Sequence, residues 1–328
     1  MIVGTRRPSL ATMMAAQHVE WGSPLQIVQV DRPEPMAGEV RIRVRATSVN
    51  PIDMHTGRNA GYEQSMRLPF IPGWDVAGVV DAVGYGVTRH AVGDRVFGLA
   101  WFPYPAGTYA EYMTVPAHHV VAMPASASFA EAGCMPMSAL TAGQMLDAAH
   151  VEPGGRVLVS GASGGVGHLA VQLAADRGAE VVALARPSHH ATLLGLGAHS
   201  CVDYNEPEQI ASAGRFDAVI DLVGGEFGRS LFDRVTRGGS IALATAWSIP
   251  TYTADGADRG IRVASCLVEP DPQGLSRIAS RIDAGRLRVV IGGEYGLTRA
   301  AEAQRWVSDR RGFGKVAIVM DTEEFERD

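Results

Sequence analysis

The sequence predicts an α/β protein with a doubly wound parallel sheet and a second, β-rich region. From residue 156 onward, apolar strands alternate with helical segments, which is typical of a parallel sheet covered by helices on both faces. A glycine-rich turn at residues 160–167 joins the first of these strands to a helix. Residues 25–121 instead contain short apolar runs separated by Gly, Pro and Asp. A length of 328 residues favours two domains over one.

The first region is predicted to consist mainly of strands. They are expected at residues 25–30, 39–49, 75–83, 94–98 and 109–115, each bounded by turn-forming residues. Residues 130–149 then show helical spacing of apolar side chains and lead the chain into the second region.

The second region is predicted to alternate strand and helix. Strands are expected at residues 157–160, 181–185, 201–203, 218–222 and 240–244, with helices at 166–177 and 190–196. After residue 250 we expect a strand at 262–268, helices at 272–284 and 298–310, and a last strand at 315–320. Parallel strands need such crossover helices, so this region should form one parallel sheet.

The glycine-rich turn is the most specific local signal. Glycines at 164 and 165 allow the backbone to approach a pyrophosphate, and the N–H groups at the start of the helix favour its negative charge. Gly167 would allow the helix to pack closely on the strand. An ordinary glycine-rich turn is the alternative. The candidate cofactor-binding residues of the turn are Gly161, Ser163, Gly164, Gly165 and Val166.

Composition excludes several classes of function. The formal net charge of −6 gives no support for general nucleic-acid binding. The sequence shows neither a signal-peptide pattern nor an apolar run long enough to cross a bilayer, so we expect no membrane partner. The three cysteines, Cys134, Cys201 and Cys266, are far apart and form no metal-binding pair. Reduced thiols in a cytoplasmic protein are the expectation.

Several separated motifs resemble the zinc-independent quinone oxidoreductase branch of the medium-chain dehydrogenase/reductase superfamily. Besides the glycine turn, they are Asn50-Pro51-Ile52-Asp53, residues 69–78, Val92-Gly93-Asp94-Arg95-Val96, Tyr109-Ala110-Glu111-Tyr112, Leu140-Thr141-Ala142, Gly197-Ala198, Asp203-Tyr204 and Gly314-Lys315-Val316. The resemblance implies a Rossmann doubly wound sheet inserted in a GroES-like β-barrel catalytic domain. The implied limits are residues 1–134, with an N-terminal extension at 1–13, then 135–269 for the Rossmann domain and 270–328 for the return to the catalytic domain. It also implies an NADPH-dependent reductase that forms a homodimer.

The same resemblance predicts that no zinc is bound. Zinc-dependent relatives carry a cysteine where this chain has Asn50, and a Gly-His-Glu motif where it has Gly73-Trp74-Asp75. No cysteine lies between Gly98 and Tyr109, where their four-cysteine lobe would fall. Asp53 and His55 alone cannot complete a zinc site. Without a metal to stabilise an alkoxide, quinones and α,β-unsaturated carbonyls are favoured over simple carbonyls as acceptors.

The predicted second strand of the parallel sheet ends at Arg186 rather than at an acidic residue. A guanidinium at that point suits the 2′-phosphate of NADPH, whereas Asp or Glu would favour NAD. A solvated surface arginine is the alternative. From the resemblance, the further cofactor candidates are Asn50, Thr141, His190, Tyr204, Val223, Gly224, Thr245 and Lys315. Helix packing for Thr141, plain packing for Tyr204 and protection of a strand edge for Lys315 remain open.

The reacting end is predicted to hold Asn50 and His55 as catalytic candidates. The Asn50 amide can donate to a substrate oxygen or hold the nicotinamide carboxamide, unless it is only the first residue of an Asn-Pro turn. His55 stands where relatives carry a tyrosine, and an imidazole there can donate a proton or be merely structural. An apolar substrate pocket is expected from Trp74, Trp101, Phe102 and Trp247.

Three functions follow from these residues. The first is an NADPH-dependent reductase of quinones or α,β-unsaturated carbonyls. The second is an enoyl-thioester reductase, which would use the same cofactor, although no basic cluster for a coenzyme A phosphate is evident. The third is a non-catalytic NADPH-binding protein. The expected partners are a small conjugated substrate and a second copy of the chain, paired through residues 262–268.

Overall fold

The computed structural model describes residues 11–244, 248–309 and 312–320. Its strands are β1 (Thr12–Gln17), β2 (Gln26–Asp31), β3 (Glu39–Ser48), β4 (Asp75–Val83), β5 (Arg95–Leu99), β6 (Tyr112–Pro116), β7 (Val120–Ala122), β8 (Arg156–Val159), β9 (Glu180–Leu184), β10 (Ser200–Val202), β11 (Phe216–Asp221), β12 (Val235–Leu243), β13 (Arg262–Ser265), β14 (Ile291–Gly296) and β15 (Lys315–Val319). Its α-helices are α1 (Pro51–Gly57), α2 (Phe129–Gly133), α3 (Pro136–Ala148), α4 (Gly167–Asp176), α5 (His190–Gly195), α6 (Pro207–Ser212), α7 (Gly225–Ser230), α8 (Ile249–Arg259), α9 (Pro272–Asp283) and α10 (Ala300–Ser308).

Six strands form the predicted parallel sheet, in the order β10-β9-β8-β11-β12-β13. Every neighbouring pair is parallel, so the sequence prediction of a doubly wound sheet is confirmed. The strand order reverses between β8 and β11. At such a switch point the loops that follow the two strands diverge and leave a crevice for a ligand. The glycine turn follows β8 at this place.

A second sheet contains strands from both ends of the chain. Its order is β14-β15-β3-β4-β5-β7, and β6 also pairs with β3. Strand β15 runs antiparallel to β3, with Ala317 opposite Ser48. The chain therefore leaves this sheet, forms the parallel sheet and returns, which is the inserted arrangement expected from the sequence. Strands β1 and β2 form a separate antiparallel pair.

Several predicted boundaries were wrong. The single helix expected at residues 130–149 is two helices, α2 and α3, and α3 begins at Pro136, which lacks the N–H needed to continue the preceding helix. The strand expected at 262–268 ends at Ser265. Strand β1 begins at Thr12, so residues 12 and 13 do not belong to an N-terminal extension.

Seven elements were not predicted: β1, β7, β14, α1, α6, α7 and α8. Helix α8 was missed because Pro250 reads as a helix breaker in the sequence. In the structure it lies in the first turn, where a missing N–H costs nothing. Within the described residues, no helix is both long and apolar enough to cross a membrane.

Candidate active site

The glycine turn lies at the carboxyl end of β8, and its shape depends on glycine at two positions. Gly161 has a φ of +60°, a left-handed conformation that side chains other than glycine rarely adopt. A Cβ on Gly167 would lie 2.2 Å from the carbonyl oxygen of Gly161. Gly167 therefore permits close packing of the start of α4, but against residues 161 and 162 of the turn rather than against the strand itself. The turn brings the start of α4 directly over the edge of the parallel sheet.

Asp221, at the end of β11, ties the neighbouring strand to this turn. Its buried carboxylate accepts hydrogen bonds from Ser160 Oγ at 2.7 Å and from the backbone N–H of Val223 at 3.0 Å. The hydroxyl of Tyr252 donates to the other oxygen at 2.7 Å. These bonds hold the turn at residues 221–225, which includes Gly224, beside the glycine turn. Asp221 is thus a structural acid.

His168, in the first turn of α4, fastens the glycine turn to the other sheet. Its Nδ1 lies 2.8 Å from the carbonyl oxygen of Gly164, and its Nε2 accepts the backbone N–H of Val290 at 3.1 Å. Burial lowers the pKa of His168 to about 4, so the ring is neutral and Nδ1 carries the proton that it donates. The backbone N–H of Gly314 also donates to the carbonyl oxygen of Ser163 at 2.8 Å.

Lys315, the only lysine of the chain, lies at the centre of the site. Its side chain is 3% exposed, and Nζ donates to Asn50 Oδ1 at 2.6 Å. Nζ also lies 3.8 Å from Asp75 Oδ2, a fully buried carboxylate oxygen. Strand β15 has β14 on one side and β3 on the other, so Lys315 does not protect a strand edge and that alternative is wrong.

Asn50 is the N-cap residue of α1, and its side-chain amide is held from both ends. The oxygen accepts from Lys315, while Nδ2 donates to Asp75 Oδ2 at 2.8 Å and to Ser48 Oγ at 3.3 Å. Asp75 in turn accepts the backbone N–H of Met137 at 2.6 Å. Both N–H groups of the amide are occupied. The expected donation from Asn50 to a substrate oxygen would require one of these bonds to break.

Asp53, one turn further along α1, is a buried acid next to this network. Its Oδ2 accepts the backbone N–H of Asn50 at 2.7 Å and the hydroxyl of Tyr109 at 3.0 Å. Its Oδ1 has no hydrogen-bond partner within the described residues. Burial raises the pKa of Asp53 to about 7, since the ionised form has lost its water and the two hydrogen bonds only partly compensate.

The structure brings together only part of the predicted substrate pocket. Trp74 and Phe102 pack edge-to-face with ring centroids 5.3 Å apart, and Tyr62, which we did not predict, packs against both. We call Tyr62, Trp74 and Phe102 the aromatic wall. Trp101 lies apart in a different apolar cluster, and its indole N–H donates to the carbonyl oxygen of Thr114 at 2.9 Å. Trp247 lies outside the described residues.

Comparisons with known proteins agree with this architecture. The family model described as the alcohol dehydrogenase GroES-like domain matches residues 36–125, and the one described as zinc-binding dehydrogenase matches residues 196–318. The solved structure of the quinone oxidoreductase from Coxiella burnetii is 31% identical with a TM-score of 0.91, covering 95% of this chain and 100% of that chain. This chain belongs to the quinone oxidoreductase family of the medium-chain dehydrogenase/reductase superfamily.

Two further relatives indicate the range of the superfamily. The 2-methylene-furan-3-one reductase of Solanum lycopersicum is 30% identical to this chain, over 93% of this chain and 79% of its own length. A mycobacterial protein solved in complex with NADPH is 27% identical with a TM-score of 0.81, covering 94% of this chain and 99% of that one. The chain is thus an oxidoreductase of a nicotinamide-dependent superfamily.

In this chain, two positions that carry metal ligands in zinc-dependent members of the superfamily are occupied by other residue types. Asn50 and Trp74 occupy two of those positions, and the Trp74 indole N–H donates to the carbonyl oxygen of Tyr104 at 2.8 Å. Across the part of the chain that the structure describes, no three His, Cys, Asp or Glu side chains converge as a metal site would require.

The predicted phosphate end of the cofactor site contains Arg186 and Tyr204. Arg186 follows β9, and its Nε donates to the Tyr204 hydroxyl at 2.8 Å. His190 is close in sequence, and its Nε2 lies 3.0 Å from the carbonyl oxygen of Ala185, which fixes the ring against the backbone. The sequence alone did not show that Arg186 and Tyr204 are paired.

The remaining predicted residues lie in three places. Thr141 is buried in α3, and its hydroxyl donates to the carbonyl oxygen of Met137 at 2.7 Å, a bond that threonine commonly makes to the residue four positions earlier in its own helix. His55 is half-buried in the last turn of α1. Thr245 lies outside the described residues.

His168, Asp75 and Tyr62 were missed as site residues. A histidine one residue after the last glycine of the turn, and the acid of the Gly73-Trp74-Asp75 motif, were visible signals for the first two. No sequence signal marked Tyr62.

Proposed function

We propose that this chain is an NADPH-dependent oxidoreductase that works without zinc and transfers a hydride to a quinone or an α,β-unsaturated carbonyl compound. The observation that carries the proposal is the set of Lys315, Asn50 and Asp75 beneath the glycine turn. Asn50, the middle member of this set, stands where the resemblance places a metal-binding cysteine of zinc-dependent relatives. Lys315 lies against the glycine turn, on the proposed cofactor side of the crevice, and its hydrogen bond to Asn50 connects it to the proposed reacting side.

The preference for NADPH rests on Arg186. A guanidinium has five N–H donors, and only the one on Nε is used by Tyr204. Among the residues that the structure describes, the two terminal nitrogens have no partner and are left to bind a 2′-phosphate, in an orientation that Tyr204 restricts. When bound, NADPH would supply the hydride. The cofactor contacts that we propose are Asn50, Thr141, Gly161, Ser163, Gly164, Gly165, Val166, Arg186, His190, Tyr204, Val223, Gly224, Thr245 and Lys315.

The substrate class rests on the aromatic wall and on the lack of a metal ligand set. Trp74 and Phe102 are buried, at 1% and 7% exposure, and support Tyr62, the partly exposed ring against which a flat conjugated acceptor can stack. Hydride addition to such an acceptor spreads the negative charge through an enolate or a quinol system, so that no metal is required to hold it. His55 is the proposed proton donor near the reacting end, while Trp74, Phe102 and Trp247 are the proposed pocket residues together with Tyr62.

The direct test is to follow NADPH absorbance with a benzoquinone, a small enone such as methyl vinyl ketone, and crotonyl-CoA, in parallel. We expect turnover with the first two. Faster turnover of crotonyl-CoA would identify an enoyl-thioester reductase instead. Tight NADPH binding without turnover of any acceptor would identify a non-catalytic binding protein. Stoichiometric zinc in the purified protein would contradict the metal-free mechanism.

We further propose that the chain forms a homodimer through the edge of its parallel sheet. Strand β13 is the last strand on that side, and Leu267, just beyond it, is 60% exposed. An edge strand with unpaired backbone groups can pair with its twin across a two-fold axis. The corresponding domain limits are residues 1–134, 135–269 and 270–328. Light scattering that shows a stable monomer at assay concentration would contradict the dimer.

A further inference from the structure

The orientation of the Asn50 amide is dictated by the chemistry of its neighbours. A lysine ammonium can only donate, so the group that faces Lys315 Nζ at 2.6 Å must be the amide oxygen. The Asp75 carboxylate can only accept when ionised, so the group at 2.8 Å from its Oδ2 must be the amide nitrogen. Reversing the amide would place N–H against ammonium and oxygen against carboxylate. The two charged partners therefore exclude the reversed orientation.

The position of Lys315 is itself determined by the glycine turn. A Cβ added to Gly165 would lie 2.7 Å from Lys315 Cδ, closer than real Cβ contacts allow. The same addition to Gly164 would meet only the carbonyl oxygen of Gly161, at 3.3 Å. The lysine side chain thus occupies the space that the missing side chain of Gly165 leaves. The backbone before Lys315 is also held, since Gly314 N–H donates to Ser163.

We propose that Lys315 is a positioning residue that makes Asn50 a hydrogen-bond acceptor toward the bound cofactor. This inference rests on the proposed function. Both N–H groups of the amide are committed to Asp75 and Ser48, so the oxygen is what Asn50 can offer to a ligand. A ligand group at this point must then donate. The amino group of the nicotinamide carboxamide is such a donor, whereas a carbonyl or carboxylate oxygen is not.

The test compares two cofactors that differ only in this donor. In the 3-acetylpyridine analogue of NADPH, a methyl group replaces the carboxamide amino group. The dissociation constant of the wild-type protein should be roughly two- to tenfold lower for NADPH than for the analogue, which is the range of one neutral hydrogen bond. Lys315→Met should bring this ratio close to one, because the amide is then free to rotate. Lys315→Arg should retain most of the preference, since its guanidinium also only donates. Arg89→Met, at an exposed position, is the control for loss of one positive charge.

Two glycine variants provide an independent measurement if Lys315→Met does not fold. Gly165→Ala displaces the lysine, whereas Gly164→Ala changes the same turn without touching it. We expect the cofactor ratio to fall in Gly165→Ala and to stay at the wild-type value in Gly164→Ala. Equal binding of the two cofactors by wild-type protein, or an unchanged ratio in folded Lys315→Met or in Gly165→Ala, would overturn the inference. Failure of wild-type protein to bind NADPH at all would instead overturn the proposed function.

Discussion

Replacing Asp53 with asparagine should remove the pH dependence of stability that arises at this site. Asp53 is wholly buried, and its pKa is raised from an ordinary 3.8 to about 7. Between these two values the folded protein keeps the proton while the unfolded chain releases it. The stability that protonated Asp53 contributes is therefore complete below about pH 4 and is lost as pH rises to about 7.

The size of this effect follows from the pKa difference. About three pH units at 1.36 kcal/mol per unit amount to at most roughly 4 kcal/mol, of which about 2–3 kcal/mol fall between pH 5 and pH 8. Asparagine has nearly the same shape, stays neutral, and its oxygen can accept from Asn50 N–H and Tyr109. Its amino group would lie where Oδ1 now has no partner, at a pH-independent cost of about 1–3 kcal/mol.

The assay is urea unfolding of wild type and Asp53→Asn at pH 5 and pH 8. From pH 5 to pH 8, wild type should lose about 2–3 kcal/mol more of its free energy of unfolding than the variant does. Asp258→Asn, at an exposed position, is the matched control and should show no comparable shift. An Asp53→Asn difference that is the same at both pH values would refute the reasoning, because it would mean that Asp53 is ionised in the folded protein throughout this range.

Three further outcomes are expected. The pKa of His168 is lowered to about 4, so the stability that the neutral ring contributes is present above about pH 6.5 and is lost as pH falls toward 4. His168→Phe should therefore lower the free energy of unfolding by about 2–4 kcal/mol at pH 7.5 and by less at pH 5, as measured by urea unfolding. Arg186→Ala should reduce the preference for NADPH over NADH by about ten- to a hundredfold in dissociation constant, and an unchanged preference would remove Arg186 from the phosphate site. Tyr62→Leu should raise the KM for a benzoquinone by roughly two- to tenfold, with kcat changed less, and an unaltered KM would place the substrate elsewhere.

Patterns that are local in sequence were predicted well. Alternating strands and helices identified the parallel sheet because each strand and each crossover helix buries its own apolar face. The glycine turn was recognised because a left-handed residue such as Gly161 and a closely packed residue such as Gly167 both require glycine. Boundaries near proline were less reliable, since the same residue breaks a helix in its middle and starts one at its first turn. Pro136 and Pro250 both lie in the first turn of a helix in the structure.

The contacts of the site could not be read from the sequence in the same way. Lys315 matched a family motif, but its alternatives of cofactor contact and edge protection were equally open until β15 was placed between two other strands. The aromatic residues at 101 and 102 are adjacent in sequence, and yet Phe102 joins Trp74 while Trp101 packs elsewhere. Neighbours along a loop can point to different clusters, and composition does not tell which.

The amino-acid sequence by itself determined the two kinds of sheet and the glycine turn, because each depends on residues close together in the chain. Tertiary structure alone decided how Lys315 meets Asn50 and Gly165. Lys315 lies in β15, Asn50 precedes α1 and Gly165 lies in the glycine turn, and each pair is separated by more than a hundred positions. Only the return of β15 beside β3 brings the ammonium, the amide and the glycine turn within contact.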